Sequence, residues 1–384
     1  MSKSSGNVFR KLMNPFFVST GDSESKLEEL VAEERKSFSI ETLISATRNF
    51  DQSLLLGEGG FGPVFKGRLR DGREIAVKRL SKRSTQGKKE FQSEAKSLTR
   101  LQHRNVVNLL GYCVHGGERL LVYEYVLNES LDKLLFKSNG GDLLDWKRRR
   151  DVIVGIAKGL LYLHDEAPVT VIHRDIKASN ILLDDKWCPK IADFGMSRFF
   201  FGDETHVSTR IVGTYGYLAP EYFKNAHLSP KVDVYSFGVV VLELISGQKN
   251  SSFDRDPGFH NLLEWAHDLF LKHRSWEIVD PVLASSADRD EVEICVHVGL
   301  LCVQSDRDLR PAMRRVVDLL ARKRSHVSSH LERPARPGYS DSGYWPKFPV
   351  SGSTSRSSES ENQKTTQNSA RSKRQHRGNG ETEE

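Results

Sequence analysis

The feature that most restricts the fold is a glycine run set between two strand patterns. Gly57, Gly59 and Gly62 give a GxGxxG spacing, carried on to Val64 in the stretch GEGGFGPV. Alternating apolar residues flank it, in LLLGEGGFGPVFKGRL and then in REIAVKRL, and Asp71 followed by Gly72 between the two is a hairpin signal. A dinucleotide-type glycine turn needs a strand before it and a helix after it. Strands on both sides point instead to a hairpin whose backbone N–H groups close over phosphate oxygens. Alone, such a run is equally a flexible turn, so its meaning depends on the rest of the chain.

The pattern changes character along the chain. Before the hairpin, FSIETLISATRNF puts Phe38, Leu43, Ile44, Ala46 and Phe50 at roughly helical spacing, predicting a short helix docked on the main domain. After it, KKEFQSEAKSLTRL reads as an amphipathic helix, and VVNLLGYCV and RLLVYEYV as strands. Beyond Ser130 the period becomes helical. WKRRRDVIVGIAKGLLYLH is one long helix, residues 229–247 form an unusually apolar and therefore buried one, and further helices are expected over 262–273, 291–304 and 313–322. A strand-rich front and a helix-rich back predict two lobes.

Six polar groups stand in an order that chemistry can use. Lys78, in Ile75-Ala76-Val77-Lys78 on the strand after the glycine hairpin, can reach phosphates as a point charge, and Glu94 on the next helix is its natural carboxylate partner. Asp175 and Asn180 lie in HRDIKASN, ahead of the apolar Ile181, Leu182 and Leu183. Asp193 opens Asp193-Phe194-Gly195. In-line phosphoryl transfer needs a base to orient a hydroxyl, oxygen ligands for a metal ion and cations against developing charge. Asp175 suits the first, Asn180 and Asp193 the second, Lys78 and Lys177 the third.

Composition narrows the alternatives. The net charge of +6 suggests a nucleic-acid binder, but the residues from 322 onward hold 12 Lys/Arg and 7 Asp/Glu. Nearly all the excess therefore sits in a Ser-rich tail read as solvated and disordered, with at most a weak membrane-surface or partner contact and no specific nucleic acid. Cys113, Cys188, Cys295 and Cys302 make no CxxC pair, and Cys295 and Cys302 lie in an apolar helical stretch, so neither zinc nor disulfides are expected. No apolar run is long enough to cross a bilayer, the start lacks a signal-peptide core, and Ser2 stands where myristoylation needs glycine. The expected location is cytoplasmic, including the inner face of the plasma membrane.

Together these motifs resemble a eukaryotic protein kinase domain over residues 54–322. The hinge sequence LVYEYV, the leader FSIETLISATRNF and the segment GTYGYLAPEY are similar to the plant receptor-like kinase branch, and by eye to cysteine-rich receptor-like kinases without their extracellular and membrane-spanning parts. The resemblance implies an α+β, two-lobed fold: an N-lobe (54–126) with an antiparallel sheet and one key helix, and a mainly helical C-lobe (127–322). Around it come a flexible extension (1–37), a leader helix (38–53) and a disordered basic tail (323–384). It implies Mg-ATP as cofactor, with Mn2+ as a substitute, and phosphoryl transfer to protein Ser/Thr hydroxyls.

Carried over by position, Gly57, Glu58, Gly59, Gly60, Phe61 and Gly62 would cover the phosphates. Val64, Ala76 and Leu182 would sandwich adenine, Glu124 and Val126 would meet it through backbone groups, and Tyr123 would be the gatekeeper. Leu98, Leu109, His173 and Phe194 would stack as a spine, Glu221 would pair with Arg310, and Asp233 would anchor the catalytic-loop backbone. Lys177 and Thr214 match the Ser/Thr form of the substrate site. Arg174 would pair with a phosphate on an activation segment carrying Thr205, Ser208, Thr209 and Thr214, of which Ser208 or Thr209 is the expected site. Protein substrates and a membrane receptor kinase or co-receptor are the implied partners. The competing reading is a pseudokinase scaffold, which usually lacks Lys78, Asp175 or Asp193; all three are present here.

Overall fold

The computed structural model describes residues 36–59, 62–80, 91, 94–95, 101–136, 143–200, 207–253, 256, 258–322, 331 and 334. All of them fall in one compact unit, Met1–Gly352. The second unit, Ser353–Glu384, and with it most of the expected tail, lies outside the described residues.

The front of the chain builds a six-stranded sheet from β1 (Lys36–Ser37), β2 (Leu55–Gly59), β3 (Gly62–Arg68), β4 (Glu74–Leu80), β5 (Leu109–His115) and β6 (Glu118–Glu124). Their order is β1-β5-β6-β4-β3-β2, antiparallel except for β1, which runs parallel to β5. Alternation puts Ile75 and Val77 on one buried face with Leu120 and Val122. At the predicted hairpin Gly72 takes φ +86°, and its N–H donates to the Leu69 carbonyl at 3.0 Å.

The leader is shorter and more irregular than its apolar spacing predicts. α1 covers only Ile40–Ala46, with the Ser39 side chain capping the Thr42 N–H at 3.2 Å. Phe38, Leu43 and Ala46 are buried against the sheet, but Ile44 is 38% exposed. Phe38 precedes the helix cap and Phe50 follows its end, so neither shares the helical face that the spacing assigned. Lys36 and Ser37, placed in the extension, instead cover the open edge of β5. Two residues are too short a strand to leave a periodic signal.

The back of the chain is helical: α2 (Leu131–Phe136), α3 (Trp146–Leu161), α4 (Pro220–Asn225), α5 (Lys231–Ser246), α6 (Leu262–Leu271), α7 (Arg289–Cys302) and α8 (Met313–Leu320). Short strands run between them: β7 (Thr170–Ile172), β8 (Ile181–Leu183), β9 (Pro189–Ile191), β10 (Arg198–Phe200), β11 (Val207–Ser208) and β12 (His227–Leu228). α3 is capped by Asp145, which accepts the Arg148 N–H at 2.8 Å, and runs into a π-helical turn at Tyr162–Glu166. α5 is buried on all sides from Val232 to Ser246, as its continuous apolar run requires. It ends at Gly247 (φ +64°), where a Cβ would stand 2.3 Å from Asp280 Oδ2. Cys295 and Cys302 are buried on α7, as small hydrophobes should be. Leu331, assigned by sequence to the tail, is buried in the main core, and Pro334 is buried too; isolated apolar residues in a polar stretch carry no periodicity that would reveal this.

The two lobes meet along the segment before β5. Val107 N–H donates to the Ile191 carbonyl and Ile191 N–H to the Asn105 carbonyl, both at 2.9 Å. The Asn105 amide adds a 2.9 Å bond to the Pro189 carbonyl. A strip of the N-lobe is thus stitched to β9, immediately ahead of Asp193.

Candidate active site

The glycine hairpin is formed by β2 and β3, with Gly57 opposite Val64, Glu58 opposite Pro63 and Gly59 opposite Gly62. Gly62 has φ +114°, and a Cβ there would lie 2.2 Å from the Arg79 carbonyl. Only glycine lets the returning strand pass this close to β4. In the next register Val64 pairs with Lys78, which puts the flap directly beside the lysine. Gly60 and Phe61 lie outside the described residues.

Lys78 makes two ion pairs, with Glu94 Oε2 and with Asp193 Oδ1, each at 2.8 Å. Its side chain is 7% exposed, that of Glu94 1% and that of Asp193 26%. Burial alone would lower the Lys78 pKa, but the Asp193 and Glu94 carboxylates outweigh it and hold the ammonium above its ordinary value. Burial would likewise raise Asp193; the Lys78 charge reverses that and keeps the carboxyl below the usual range. Lys78 and Asp193 are therefore held in their charged forms, with the Asp193 carboxylate partly open to solvent. Sequence reasoning supplied Glu94 as the partner but not the contact with Asp193, 115 residues away.

Asp175 sits at the centre of a second cluster. Lys177 Nζ lies 2.8 Å from Asp175 Oδ2, Thr214 Oγ1 donates to Asp175 Oδ1 at 2.7 Å, and Asn180 Nδ2 donates to Oδ2 at 3.0 Å. Lys177 also donates to Thr214 Oγ1 at 2.8 Å. Asn180 Nδ2 makes a further 2.8 Å bond to the Asp175 carbonyl. With its nitrogen committed to Asp175, the Asn180 side chain has its amide oxygen left for a cation.

The backbone around these groups is held by one buried carboxylate. Asp233, near the start of α5, accepts the N–H groups of His173 and Arg174, both at 2.8 Å, and lies 3.0 Å from His164 Nε2. Arg174 adopts φ +69° and Asp193 φ +66°, conformations that non-glycine residues avoid unless their surroundings enforce them. His173 bridges the two: its Nδ1 accepts the Asp175 N–H at 3.3 Å, so Nε2 carries the proton donated to the Ala192 carbonyl at 3.0 Å. Its ring also meets Phe194 edge-on, with centroids 4.7 Å apart. Leu109 is buried in the same core as Phe194, and Leu98 lies outside the described residues.

Val64, Ala76, Val126 and Leu182 are all half-buried. Glu124 turns its carboxylate away to Lys190 (2.9 Å) and the Asn108 N–H (2.8 Å). The Tyr123 hydroxyl is buried; burial, and the Glu94 carboxylate after it, raise its pKa well above the ordinary tyrosine value. Among the described residues no cluster of three or more His, Cys, Asp or Glu side chains is arranged to hold a metal. A divalent ion here would rest on Asp193 and Asn180 and draw its remaining ligands from phosphate and water, the usual arrangement for magnesium beside a nucleotide.

A strand-borne lysine tied to two carboxylates, a loop aspartate ringed by donors and a glycine flap above them are parts of one assembly. Residues 50–318 match the protein kinase domain family. The chain belongs to the protein kinase family. It is 52% identical over 298 residues to cysteine-rich receptor-like protein kinase 10 of Arabidopsis thaliana, covering 77% of this chain and 44% of that protein. It is 47% identical over 330 residues to a G-type lectin S-receptor-like serine/threonine-protein kinase of the same plant, covering 83% and 38% respectively. The chain thus spans less than half the length of these relatives. A protein kinase domain uses ATP and a divalent metal and acts on proteins. Among the described residues, no helix of this kinase is long and apolar enough to cross a membrane.

In the activation segment, Thr209 gives its N–H to the Ala226 carbonyl at 3.2 Å, and Arg174 Nε donates to the Met196 carbonyl. Ser208 pairs through its backbone with His227; its side chain and all of Thr205 lie outside the described residues. Burial lowers the Arg174 pKa, with the nearby Arg198 charge acting in the same direction. The kinase also holds a pair that sequence reasoning missed. Tyr217 donates its hydroxyl to Glu243 on α5 (2.9 and 2.8 Å to the two oxygens), and Glu243 accepts the Asn250 N–H at 3.0 Å. The signal was present: a carboxylate inside an otherwise apolar buried helix needs partners.

Proposed function

We propose that this chain transfers the γ-phosphoryl group of ATP to serine and threonine hydroxyls of proteins, with Mg2+ as the working metal. The observation that carries the reading is the cluster at Asp175, where Lys177, Thr214 and Asn180 aim donors at one carboxylate. Thr214 already holds a hydroxyl at hydrogen-bonding distance of this carboxylate. An incoming serine or threonine hydroxyl would use the same acceptor, with Asp175 orienting it and taking its proton. Lys177 is placed to offset charge on the transferring group, and Lys78, steadied by Glu94, to hold the phosphates nearer the adenine.

Gly57 to Gly62 would exclude water from above, and Val64, Ala76 and Leu182 would enclose the base beside Tyr123, Glu124 and Val126. Asn180 and Asp193 would hold the metal, which when bound neutralises phosphate charge; Mn2+ suits the same oxygen donors. In this reading the catalytic unit spans 54–322, split at 126, with 38–53 as its leader.

The names of its relatives support a role in plant receptor-linked signalling, at the cytoplasmic side of a membrane receptor kinase or co-receptor. The basic tail would add a weak membrane-surface contact. Control would come from phosphorylation at Ser208 or Thr209. Once phosphorylated, either residue would be drawn to Arg174, close to Arg198, ordering the segment. Ser208→Ala/Thr209→Ala should lower activity, and equal activity in that double variant removes this mode of control.

The deciding experiment is phosphorylation of the chain itself and of myelin basic protein by purified material. Asp175→Asn should fold normally and lose about a thousandfold in turnover. Equal phosphorylation by Asp175→Asn would assign the activity to a contaminant and reject the reading.

A further inference from the structure

Three consecutive non-glycine residues, Arg48, Asn49 and Phe50, all have left-handed backbones, with φ of 49°, 58° and 56°. Each is disfavoured because Cβ crowds a neighbouring carbonyl oxygen, and the left-handed conformation normally occurs at single residues rather than in runs. The turn persists because it is tied at every step. Arg48 N–H donates to the Ser45 carbonyl (3.4 Å), Asn49 N–H to Ile44 (2.7 Å) and Asp51 N–H to Thr47 (3.1 Å). The buried Thr47 hydroxyl donates to the Leu43 carbonyl at 2.7 Å and accepts the Phe50 N–H at 3.1 Å.

The strained turn delivers Phe50 to one place. Its ring meets Phe65 edge-on at 5.5 Å and lies under the Arg79 guanidinium at 4.8 Å. Arg79 is itself fixed to Glu118 by two bonds, of 3.1 and 2.5 Å. Phe65 belongs to the strand that returns from the glycine hairpin: it pairs with Leu55 on one side and Val77 on the other, and its neighbour Val64 pairs with Gly57 and Lys78. Two residues on, and on the same face, Gly67 leaves room for Thr47, whose Cγ2 would stand 3.4 Å from a Cβ there. Thr47 and Phe50 therefore bear on one face of β3, the opposite face to Val64. Only a short turn, Gln52–Leu54 with Asp51 capping Ser53, separates Phe50 from β2.

We propose that this left-handed turn is a clamp that sets the pitch of the glycine hairpin, making Phe50 a positioning residue for the nucleotide. The inference rests on the nucleotide reading of the cleft. The clamp presses on the outer face of the flap, touches no ligand, and acts through Phe65 and Arg79 on the backbone that carries Val64 and Lys78. It converts the leader from a packed extension into part of the nucleotide site.

The test uses the full chain, with KM for ATP and kcat measured on myelin basic protein and affinity measured with a fluorescent ATP analogue. Phe50→Ala should raise both KM and the analogue's Kd about five- to tenfold while kcat stays within about twofold. Phe50→Tyr keeps the ring and should restore both, and Ile44→Ala, on the exposed side of α1, should change neither. A Phe50→Ala enzyme with unchanged KM, or one losing only active fraction at constant KM, overturns the clamp. Should Phe50→Ala fail to fold, Phe50→Leu keeps the bulk but loses the ring contacts; a rise of about two- to threefold is expected, and no rise overturns the idea. If the wild-type chain neither binds the analogue nor turns over, the kinase reading fails and takes the clamp with it. If it does both while the Phe50 variants match it, the clamp alone fails.

Discussion

Buried charge is used in two ways in this molecule, at the cleft and around α5. At the cleft, Lys78, Glu94 and Asp193 bind one another through side chains that arrive from both lobes, and Asp193 stays partly exposed. Around α5 the buried charges answer mainly to backbone. Asp233 accepts two N–H groups, and Arg310 donates to the carbonyls of Gln304 and Lys231 as well as to both oxygens of Glu221. Arg149 does the same, reaching the carbonyls of Leu144 and Leu244 and one oxygen of Asp280. Ions satisfied by backbone fix the chain in one path. Ions satisfied by other side chains, with an oxygen open to solvent, can exchange partners with a ligand. The difference teaches that burial alone does not distinguish a scaffold ion from a working one; the identity of its partners does.

The contrast can be broken by measurement. The largest effect is expected at the cleft: Lys78→Met should cut phosphoryl transfer about a thousandfold. Because that change also strips the buried Glu94 carboxylate of its partner, stability is compared in the double variant Lys78→Met/Glu94→Gln, which should cost the fold far less than a scaffold change, since water can solvate Asp193 in place of the ammonium. Large unfolding in that variant would erase the distinction. Next comes the scaffold. Arg310→Ala leaves the Glu221 carboxylate without its bidentate partner and should lose about 3–5 kcal/mol of stability, on the order of 10 °C in Tm. Residual folded protein should still bind nucleotide.

Third is a pH effect at Glu243, whose carboxyl burial pushes up from 4.5 to about 7. The folded state holds a proton that the unfolded chain gives up at lower pH. Its contribution to stability is thus full below pH 4.5 and is lost as pH climbs to about 7, a change on the order of 3 kcal/mol. Glu243→Gln cannot ionise and should flatten the urea midpoint between about pH 4.5 and 7; an unaltered slope would assign the titration elsewhere. The smallest effect is at the Asp175 cluster, where Thr214→Ala removes the bonds to Asp175 and Lys177. It should lower turnover about tenfold with Tm nearly unchanged, and a Tm loss as large as that of Arg310→Ala would move Thr214 to the scaffold.

Much of the fold and site was legible because its signals are local. The glycine hairpin, the lysine strand, the loop around Asp175 and the apolar α5 are each written within a few turns of chain, where spacing reports directly on geometry. Signals that join distant segments were not legible in the same way. The Asp193 contact of Lys78, the Tyr217–Glu243 pair and the burial of Leu331 all depend on which surfaces meet. Phe50 illustrates the limit within a single short segment. Helical spacing predicted that it would share a face with Leu43, and a left-handed turn sent it to Phe65 instead. Periodicity assumes a continuing helix and cannot register a turn whose cost is met by tertiary contacts.

The sequence by itself therefore determined the parts: a glycine hairpin, a lysine-bearing strand, a loop around Asp175 and a helix that has to be buried. The tertiary structure decided which of those parts touch, which carboxylate faces solvent and where the leader exerts its pressure. The reason is one of range. Backbone sterics and hydrophobic period act over a few residues, whereas a charge or a ring acquires its role from whatever the completed packing sets beside it.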